Sequence, residues 1–153
     1  MATINTLATV VEALKAGLAA ATGFSATTVT DDDRRVINNP SSIFVFPAGT
    51  GAQELVFGGS AANVYQVRYD LTIELYEKNT GSILRLYNDT QTHIDAILAW
   101  LRANDDLSDT SGTFVSCHAG QVRWQAADVR NEESGIDYRL VTFTVPCLLT
   151  GLT

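Results

Sequence analysis

The clearest alternation of apolar and polar residues lies in residues 64–77, which read VYQVRYDLTIELYE. Apolar or aromatic side chains occupy the odd positions from 65 to 75, and polar side chains occupy the even positions from 66 to 74. A period of two is typical of a strand with one buried face and one open face. We therefore predict a long strand that crosses the full width of the fold.

Two other stretches repeat their apolar residues at steps of three and four, which is typical of an amphipathic helix. The first begins near residue 4 and is expected to end at Gly23. Gly17 lies inside it, where glycine costs up to ~1 kcal/mol relative to alanine unless a close contact in the fold compensates for it, which the sequence does not show. The second helix covers residues 83–103. Its predicted buried stripe is Ile83, Tyr87, Ile94, Ile97, Leu98 and Leu101.

Four further strands are predicted where apolar residues cluster between turn residues. They cover residues 43–47, 113–118, 121–126 and 136–149. Pro146 lies in the last of them and should occupy an edge or a bulge, because proline cannot donate a ladder hydrogen bond. Residues 130–135, RNEESG, are predicted to form a turn.

Residues 48–63 are rich in glycine and lack a clear period, so we predict a long loop. Leu55, Val56 and Phe57 lie in the middle of it. Apolar residues on such an arm either bury themselves against a partner or fold back onto their own core. Both readings stay open from the sequence.

The element order is helix, strand, long loop, strand, helix and three strands. Both apolar surfaces are buried if the helices lie across the sheet. We predict an α+β fold with a mostly antiparallel sheet of about four to five strands and two main helices packed on one face. At 153 residues the chain is expected to form a single domain, 1–153.

The charge balance argues against a surface that grips nucleic acid. The formal net charge is -7, and the ten lysines and arginines are scattered along the chain. Phosphate binding needs a basic patch, which this distribution does not supply. The sequence contains no apolar run of the length that a signal peptide or a membrane span requires, so we expect synthesis in the cytoplasm.

Residues that carry catalysis do not occur at recognisable spacings. Cys117 and His118 are adjacent, so on a strand they would point to opposite faces. His93 lies off the apolar stripe of its helix and is expected at the rim or in solvent. Cys117 and Cys147 are either buried thiols or a disulfide between neighbouring strands.

The acidic run at residues 31–33 lacks the glycine and distal glutamate of a calcium loop. It is expected to be a solvated loop, with an electrostatic contact to a partner as the alternative. We therefore predict no catalytic residue, no cofactor and no metal, and a protein that is not an enzyme.

The elements follow one another in a recognisable order. An amphipathic helix precedes the strand IFVFP, a glycine-rich loop, the strand YDLTIELYEKN, the helix HIDAILAWLRAND, the segment VRW and the closing strand YRLVTFTVPCLL. This order resembles that of the tail terminator proteins of long-tailed bacteriophages over nearly the whole chain. Neck and tail-completion proteins overlap with that group.

The resemblance implies a structural virion protein of the tail neck. Members form a ring, commonly a hexamer, on the last ring of the tail tube, where they stop tube polymerisation and offer a docking surface to the head. The implied partners are other copies of the chain, the tail tube protein and the head-completion or connector protein. DNA would be only passing cargo in the channel, and no membrane is involved.

The expected subunit or partner contacts fall in two segments. They are Leu55, Val56 and Phe57 in the predicted loop, and Arg130, Glu132 and Glu133 in the predicted turn. Two alternatives remain from the sequence. One is another neck, head-closure, tube or tail-completion protein, and the other is a small-ligand-binding α+β module with a pocket over Tyr65, Tyr69 and Trp124.

Overall fold

The computed structural model describes residues 7–23, 29–30, 41–56, 64–104, 114–117, 122–132 and 135–152. Two helices and six strands lie within these residues. They are α1 (Leu7–Thr22), β1 (Val29–Thr30), β2 (Ser41–Val56), β3 (Val64–Lys78), α2 (Ile83–Ala103), β4 (Phe114–Cys117), β5 (Arg123–Asn131) and β6 (Ile136–Leu152). Neither helix is long and apolar enough to cross a bilayer.

The six strands form one sheet in the order β1-β2-β3-β6-β4. Strand β5 pairs with the side of β6 that β4 also occupies, so β4 and β5 follow one another along one edge. Every pairing is antiparallel except that of β1 with β2. The two-residue strand β1 is the one strand that the sequence pattern did not predict.

The core lies between one face of the sheet and both helices. Because side chains alternate between faces along a strand, the core residues of β2, β3 and β6 occupy alternate positions. Its members are Val10, Val11, Leu14, Leu18, Ile43, Val45, Leu71, Ile73, Leu75, Ile94, Ile97, Leu101, Val141, Phe143, Val145 and Cys147. The predicted α+β class, with a mostly antiparallel sheet and two helices on one face, is confirmed.

Helix α1 ends at Gly23, as predicted. The backbone there has a φ of 72°, and the Gly23 N–H donates to the carbonyl of Ala19 at 3.0 Å. Gly17 lies where α1 approaches α2, directly against the indole of Trp100. The glycine therefore gives the Trp100 ring the room that a larger residue would occupy.

Helix α2 begins after Ser82, whose hydroxyl accepts the N–H of Arg85 at 3.3 Å. Its predicted buried stripe is wrong at two positions, because Ile83 is 62% exposed and Tyr87 is 41% exposed. The buried residues are Leu86, Thr90, Ile94, Ile97 and Leu101. Thr90 can be buried because its hydroxyl donates to the carbonyl of Leu86, which satisfies the polar group.

The predicted loop at 48–63 is wrong over its first nine residues, which continue β2 to Val56. From Pro47 to Gly51 the chain advances four residues while its partner β3 advances only two. The ladder absorbs the two extra residues as an irregularity and then resumes, which breaks the sequence period without ending the strand. Residues 57–63 lie outside the described part of the chain.

The predicted turn at 130–135 is also displaced, since β5 continues through Asn131. Strand β6 extends to Leu152 and has β3 paired along its whole length on one side. On its other side β5 stops at Thr144 and β4 begins at Cys147, so Pro146 lies in the gap between them. A residue without an N–H is tolerated at such an unpaired edge.

Candidate interaction surface

Among the described residues, the exposed large hydrophobic side chains come from two elements of the fold. The large hydrophobic residues that are exposed all belong to the first turns of α2 or to β5. They are Ile83, Leu84, Tyr87, Trp124 and Val129. We call this set the α2–β5 flank. Ile83, Tyr87 and Val129 line one groove, whereas Trp124 lies five residues before Val129 on β5. A contiguous group of exposed apolar side chains marks an interaction surface more often than scattered ones do.

A groove of about 230 Å³ lies within the flank, between the start of α2 and the β5–β6 hairpin. Its apolar lining comes from both elements and from β6. The lining residues are Asn79, Ile83, Leu86, Tyr87, Asp128, Val129, Arg130, Asp137 and Tyr138. A volume of this size accommodates one or two side chains of a partner rather than a large ligand, since ligand pockets are usually at least about 300 Å³.

Charged groups frame one wall of the groove. The guanidinium of Arg139 lies 4.3 Å from the ring centre of Tyr87 and donates to the Asp128 carboxylate at 3.0 Å. The Tyr87 hydroxyl lies 3.5 Å from the same carboxylate. These contacts fix the orientation of the Tyr87 ring at the surface. Tyr87, which the sequence pattern assigned to the core, is thus held at the surface.

The hairpin end of the groove is held more loosely. The Arg130 guanidinium lies 3.8 Å from the Asp137 carboxylate, and both side chains are more than half exposed. An ion pair in water contributes at most about 1 kcal/mol. Arg130 can therefore exchange this carboxylate for one on a partner at little cost.

The predicted contact residues fall into two separate groups. Arg130 lines the groove, and Glu132 is exposed in the turn that follows β5, whereas Glu133 lies outside the described residues. Leu55 and Val56 end strand β2, where they pair with Tyr65 and Val64. Phe57 lies outside the described residues.

The two groups lie at opposite ends of the sheet. Val56 is level with Val64 at the start of β3, whereas the β5–β6 hairpin lies beside Lys78 at its end. Fourteen residue steps at ~3.3 Å each separate these ends by about 45 Å. The structure therefore does not bring the two predicted contact segments together within one copy.

The three aromatic residues predicted to line a small-ligand pocket lie at different levels of the sheet. Trp124 is level with Phe143 and, through it, with Ile73 on β3. Tyr69 and Tyr65 follow at four and eight residues from Ile73, or about 13 Å and 26 Å along the strand. The register therefore spreads the three positions over about 26 Å along the sheet, and a pocket lined by them stays a prediction.

His93 lies at the rim, as expected, but it is engaged by a buried carboxylate. Its Nδ1 bonds one oxygen of Glu77, and the hydroxyl of Ser41 donates to the other. The carboxylate lies between the histidine and the serine, so the histidine cannot take the proton of the serine hydroxyl. The cluster joins α2 to β2 and β3 rather than forming a nucleophile–base pair.

The register and the described side chains also bear on the two cysteines and on metal binding. Cys117 on β4 is the direct partner of Cys147 on β6, so the backbone brings the two cysteine positions side by side. Cys147 is buried and is a thiol in this structure. Among the described residues, no three histidines, cysteines or acidic residues gather as metal ligands do.

No protein-family model matches this chain, and no curated protein matches it either. The basis for a functional proposal is therefore the surface of the chain itself, together with the order of its elements.

Proposed function

We propose that this protein is a structural component of a bacteriophage virion. In this proposal it forms a ring that caps the head-proximal end of the tail tube, ends tube polymerisation and provides the docking surface for the head connector. Its partners are further copies of itself, the tail tube protein and the head connector, and it catalyses no reaction. The order of the elements suggests this family, and the geometry supplies physical support.

The observation that carries the proposal is the α2–β5 flank. Three large apolar side chains, Ile83, Tyr87 and Val129, line its groove and are between 38% and 62% exposed. At ~25 cal/mol per Å², covering such side chains is a substantial driving force for association. A protein that works through contacts with other subunits needs a surface of this kind.

The separation of the two contact segments also supports a ring. A ring is built from heterologous contacts, in which two different patches of each copy meet. One patch must therefore lie away from the other on the same subunit. The hairpin end at Arg130 and the β2 end at Val56 are about 45 Å apart along the sheet, by the strand rise of ~3.3 Å per residue.

The net charge of the chain is compatible with a channel through which DNA passes. A net charge of -7 repels the phosphate backbone and disfavours adhesion in a channel. The proposal predicts that loss of the gene gives overlong tails or tails without heads. Tails of normal length that still carry heads would contradict it.

A variant can link that phenotype to the flank. Val129→Asp places a charge in the groove wall at an exposed position, so the chain should still fold while the phage loses head-carrying tails. Ala99→Lys, an exposed change on α2 outside the flank, is the matched control and should complement fully. Equal complementation by both variants would remove the flank from the proposal.

A different location in the virion is the first alternative. Electron microscopy of tails with this protein labelled would show it at the head-proximal end of the tube. Density elsewhere would favour another neck, head-closure, tube or tail-completion protein.

The groove is the observation that favours the second alternative, a small-ligand-binding module. A ligand that binds only the native state raises the melting temperature in a saturable way. A saturable hit in a thermal-shift screen, abolished by Val129→Asp, would favour this function over ring formation.

A further inference from the structure

The chain contains two cysteines, and the sheet brings their positions together. Cys117 is the last residue of β4 and the direct antiparallel partner of Cys147 on β6. Directly opposed residues of antiparallel strands have Cα atoms about 4.5–5.5 Å apart, and disulfides span Cα distances of about 4.4–6.8 Å. The backbone therefore holds the two positions at the spacing that a disulfide needs.

The register of β4 on β6 is continuous. Its pairs run without a shift from Phe114 opposite Thr150 to Cys117 opposite Cys147. A slip of one residue anywhere along β4 would take the two cysteines out of register, because successive side chains of a strand alternate between faces. The opposition of the two cysteines is therefore a consequence of the pairing of the whole strand rather than of one isolated contact.

The cysteine pair lies where one edge of the sheet is interrupted. Among the described residues, the next strand on this side of β6 is β5, whose ladder stops at Thr144. Pro146 lies in the gap between that ladder and the pair formed by Cys117 and Cys147. Strand β4 is thus held to β6 by four residue pairs that end at a gap. A short edge strand of this kind opens more readily than the centre of a sheet.

The environment of Cys147 suits a bond that is hard to break. Cys147 belongs to the core, is only 1% exposed and is a thiol in this structure. A disulfide is broken when a thiolate attacks one of its sulfurs. Because the Cys147 Sγ is shielded from solvent, attack on that sulfur requires local opening of the fold. The buried position therefore protects the bond, while opening of β4 gives an oxidant access to form it.

We infer that Cys117 and Cys147 form a disulfide that fastens β4 to β6 when the protein meets an oxidising small-molecule disulfide. The thiolate of one cysteine attacks glutathione disulfide, which forms a mixed disulfide and releases one glutathione thiolate. The thiolate of the other cysteine then attacks the protein sulfur of the mixed disulfide and releases the second glutathione. Two electrons pass from the cysteines to glutathione, and the two thiol protons end on the released glutathione thiols.

In a virion protein, the same bond would form after release from the cell. Thiols persist in a cytoplasm that glutathione and thioredoxin keep reducing, whereas disulfides persist outside it. The chain would assemble with both thiols and carry the disulfide in the released particle. This timing rests on the proposed function, whereas the disulfide itself rests on the register alone.

Peptide mapping tests the bond. Trypsin cleaves after lysine and arginine, so Cys117 falls in peptide 103–123 and Cys147 falls in peptide 140–153. The purified chain, oxidised with glutathione disulfide and digested without reductant, should yield these two peptides joined, and reduction should separate them. The same product should form when the denatured chain is refolded in a mixture of reduced and oxidised glutathione, where both thiols are accessible to the oxidant.

The matched control exchanges two neighbouring residues of β4. Ser116→Cys combined with Cys117→Ser keeps the composition of the chain and moves the thiol one position out of register with Cys147. This variant should yield at least tenfold less of the joined peptides in both procedures. Equal yields from the two chains, covalent dimers in place of the bond within the chain, or no joined peptides from the native chain in either procedure would overturn the inference.

Hydrogen exchange tests whether the bond fastens β4. The amides of residues 114–117 should exchange at least tenfold more slowly after oxidation and should regain their original rate after reduction. Equal exchange rates in the two forms would show that the bond does not hold the strand, and would overturn that part of the inference.

Released particles separate the timing from the proposed function. A thiol-alkylating reagent added before lysis should modify both cysteines, and particles kept after release should yield the joined peptides. Particles that lack the chain would refute the proposed function and leave the bond in the purified chain unaffected. Particles that contain the chain with both cysteines as thiols would refute the timing and leave the proposed function unaffected.

Discussion

Replacing Gly17 with alanine tests why a glycine interrupts helix α1. A Cβ at this position would lie 1.8, 2.3 and 2.4 Å from three carbon atoms of the Trp100 indole. Non-bonded carbons prefer about 3.5–4.0 Å, so the ring would have to move by nearly 2 Å or leave the interface. Overpacking of this kind costs about 1–3 kcal/mol, and a ring displacement this large belongs at the upper end.

The helix itself would gain from the same change. Alanine is favoured over glycine in a helix interior by up to ~1 kcal/mol. The expected net effect is a loss of about 2 kcal/mol. For a chain of this size, a loss of that magnitude lowers the melting temperature by about 4–8 °C. Thermal and urea unfolding followed by circular dichroism would measure it.

A double-mutant cycle separates the two contributions. With Trp100→Ala the clash is absent, so Gly17→Ala should become stabilising by about 1 kcal/mol. The control is Ala16→Gly, an exposed neighbour on α1, which should cost about 1 kcal/mol in either background. If Gly17→Ala stabilised the parent protein as much as the Trp100→Ala variant, the packing explanation would be refuted.

Three further predictions follow from other contacts. Glu77→Ala should lower the free energy of unfolding in urea by about 2–3 kcal/mol, because it removes the carboxylate that bonds the Ser41 hydroxyl and the half-buried His93. Glu77→Gln should cost clearly less, and equal losses would show that these hydrogen bonds do not stabilise the fold. Oxidation by glutathione disulfide should join Cys117 to Cys147, which mass spectrometry would detect as a loss of two hydrogens. The disulfide should stabilise the protein by about 3–4 kcal/mol, because it closes a loop of about 30 residues. An unchanged mass would contradict the register of β4 and β6. Ile83→Lys should change stability by less than about 0.5 kcal/mol while it weakens self-association in sedimentation, whereas a large loss of stability would return Ile83 to the core.

The strand and helix types were predictable because each depends on a local period. The alternation in residues 64–77 predicted β3, and the end of α1 at Gly23 followed from the freedom of glycine to adopt a positive φ. The cap of α2 by Ser82 is also a local feature, because the hydroxyl accepts a backbone N–H within the first turn of the helix.

The incorrect predictions concern residues whose structure depends on contacts with residues far away in the sequence. Residues 48–56 lack a period because the ladder absorbs two extra residues, and only the pairing with β3 identifies them as strand. Thr90 replaced an apolar residue in the buried stripe of α2, since its hydroxyl is satisfied by Leu86. Tyr87 was assigned to the core because its spacing fits, yet its ring lies at the surface under Arg139.

The sequence alone determined that this chain builds an α+β fold, because side-chain periodicity and caps act over a few residues. Only the tertiary structure decided which side chains leave an apolar surface, that β1 and β5 lie on opposite sides of the sheet, and that positions 117 and 147 pair across β4 and β6. These features depend on strand order and register, which join residues far apart in the chain. Local patterns carry no information about such pairings, because the same alternation is compatible with several strand orders.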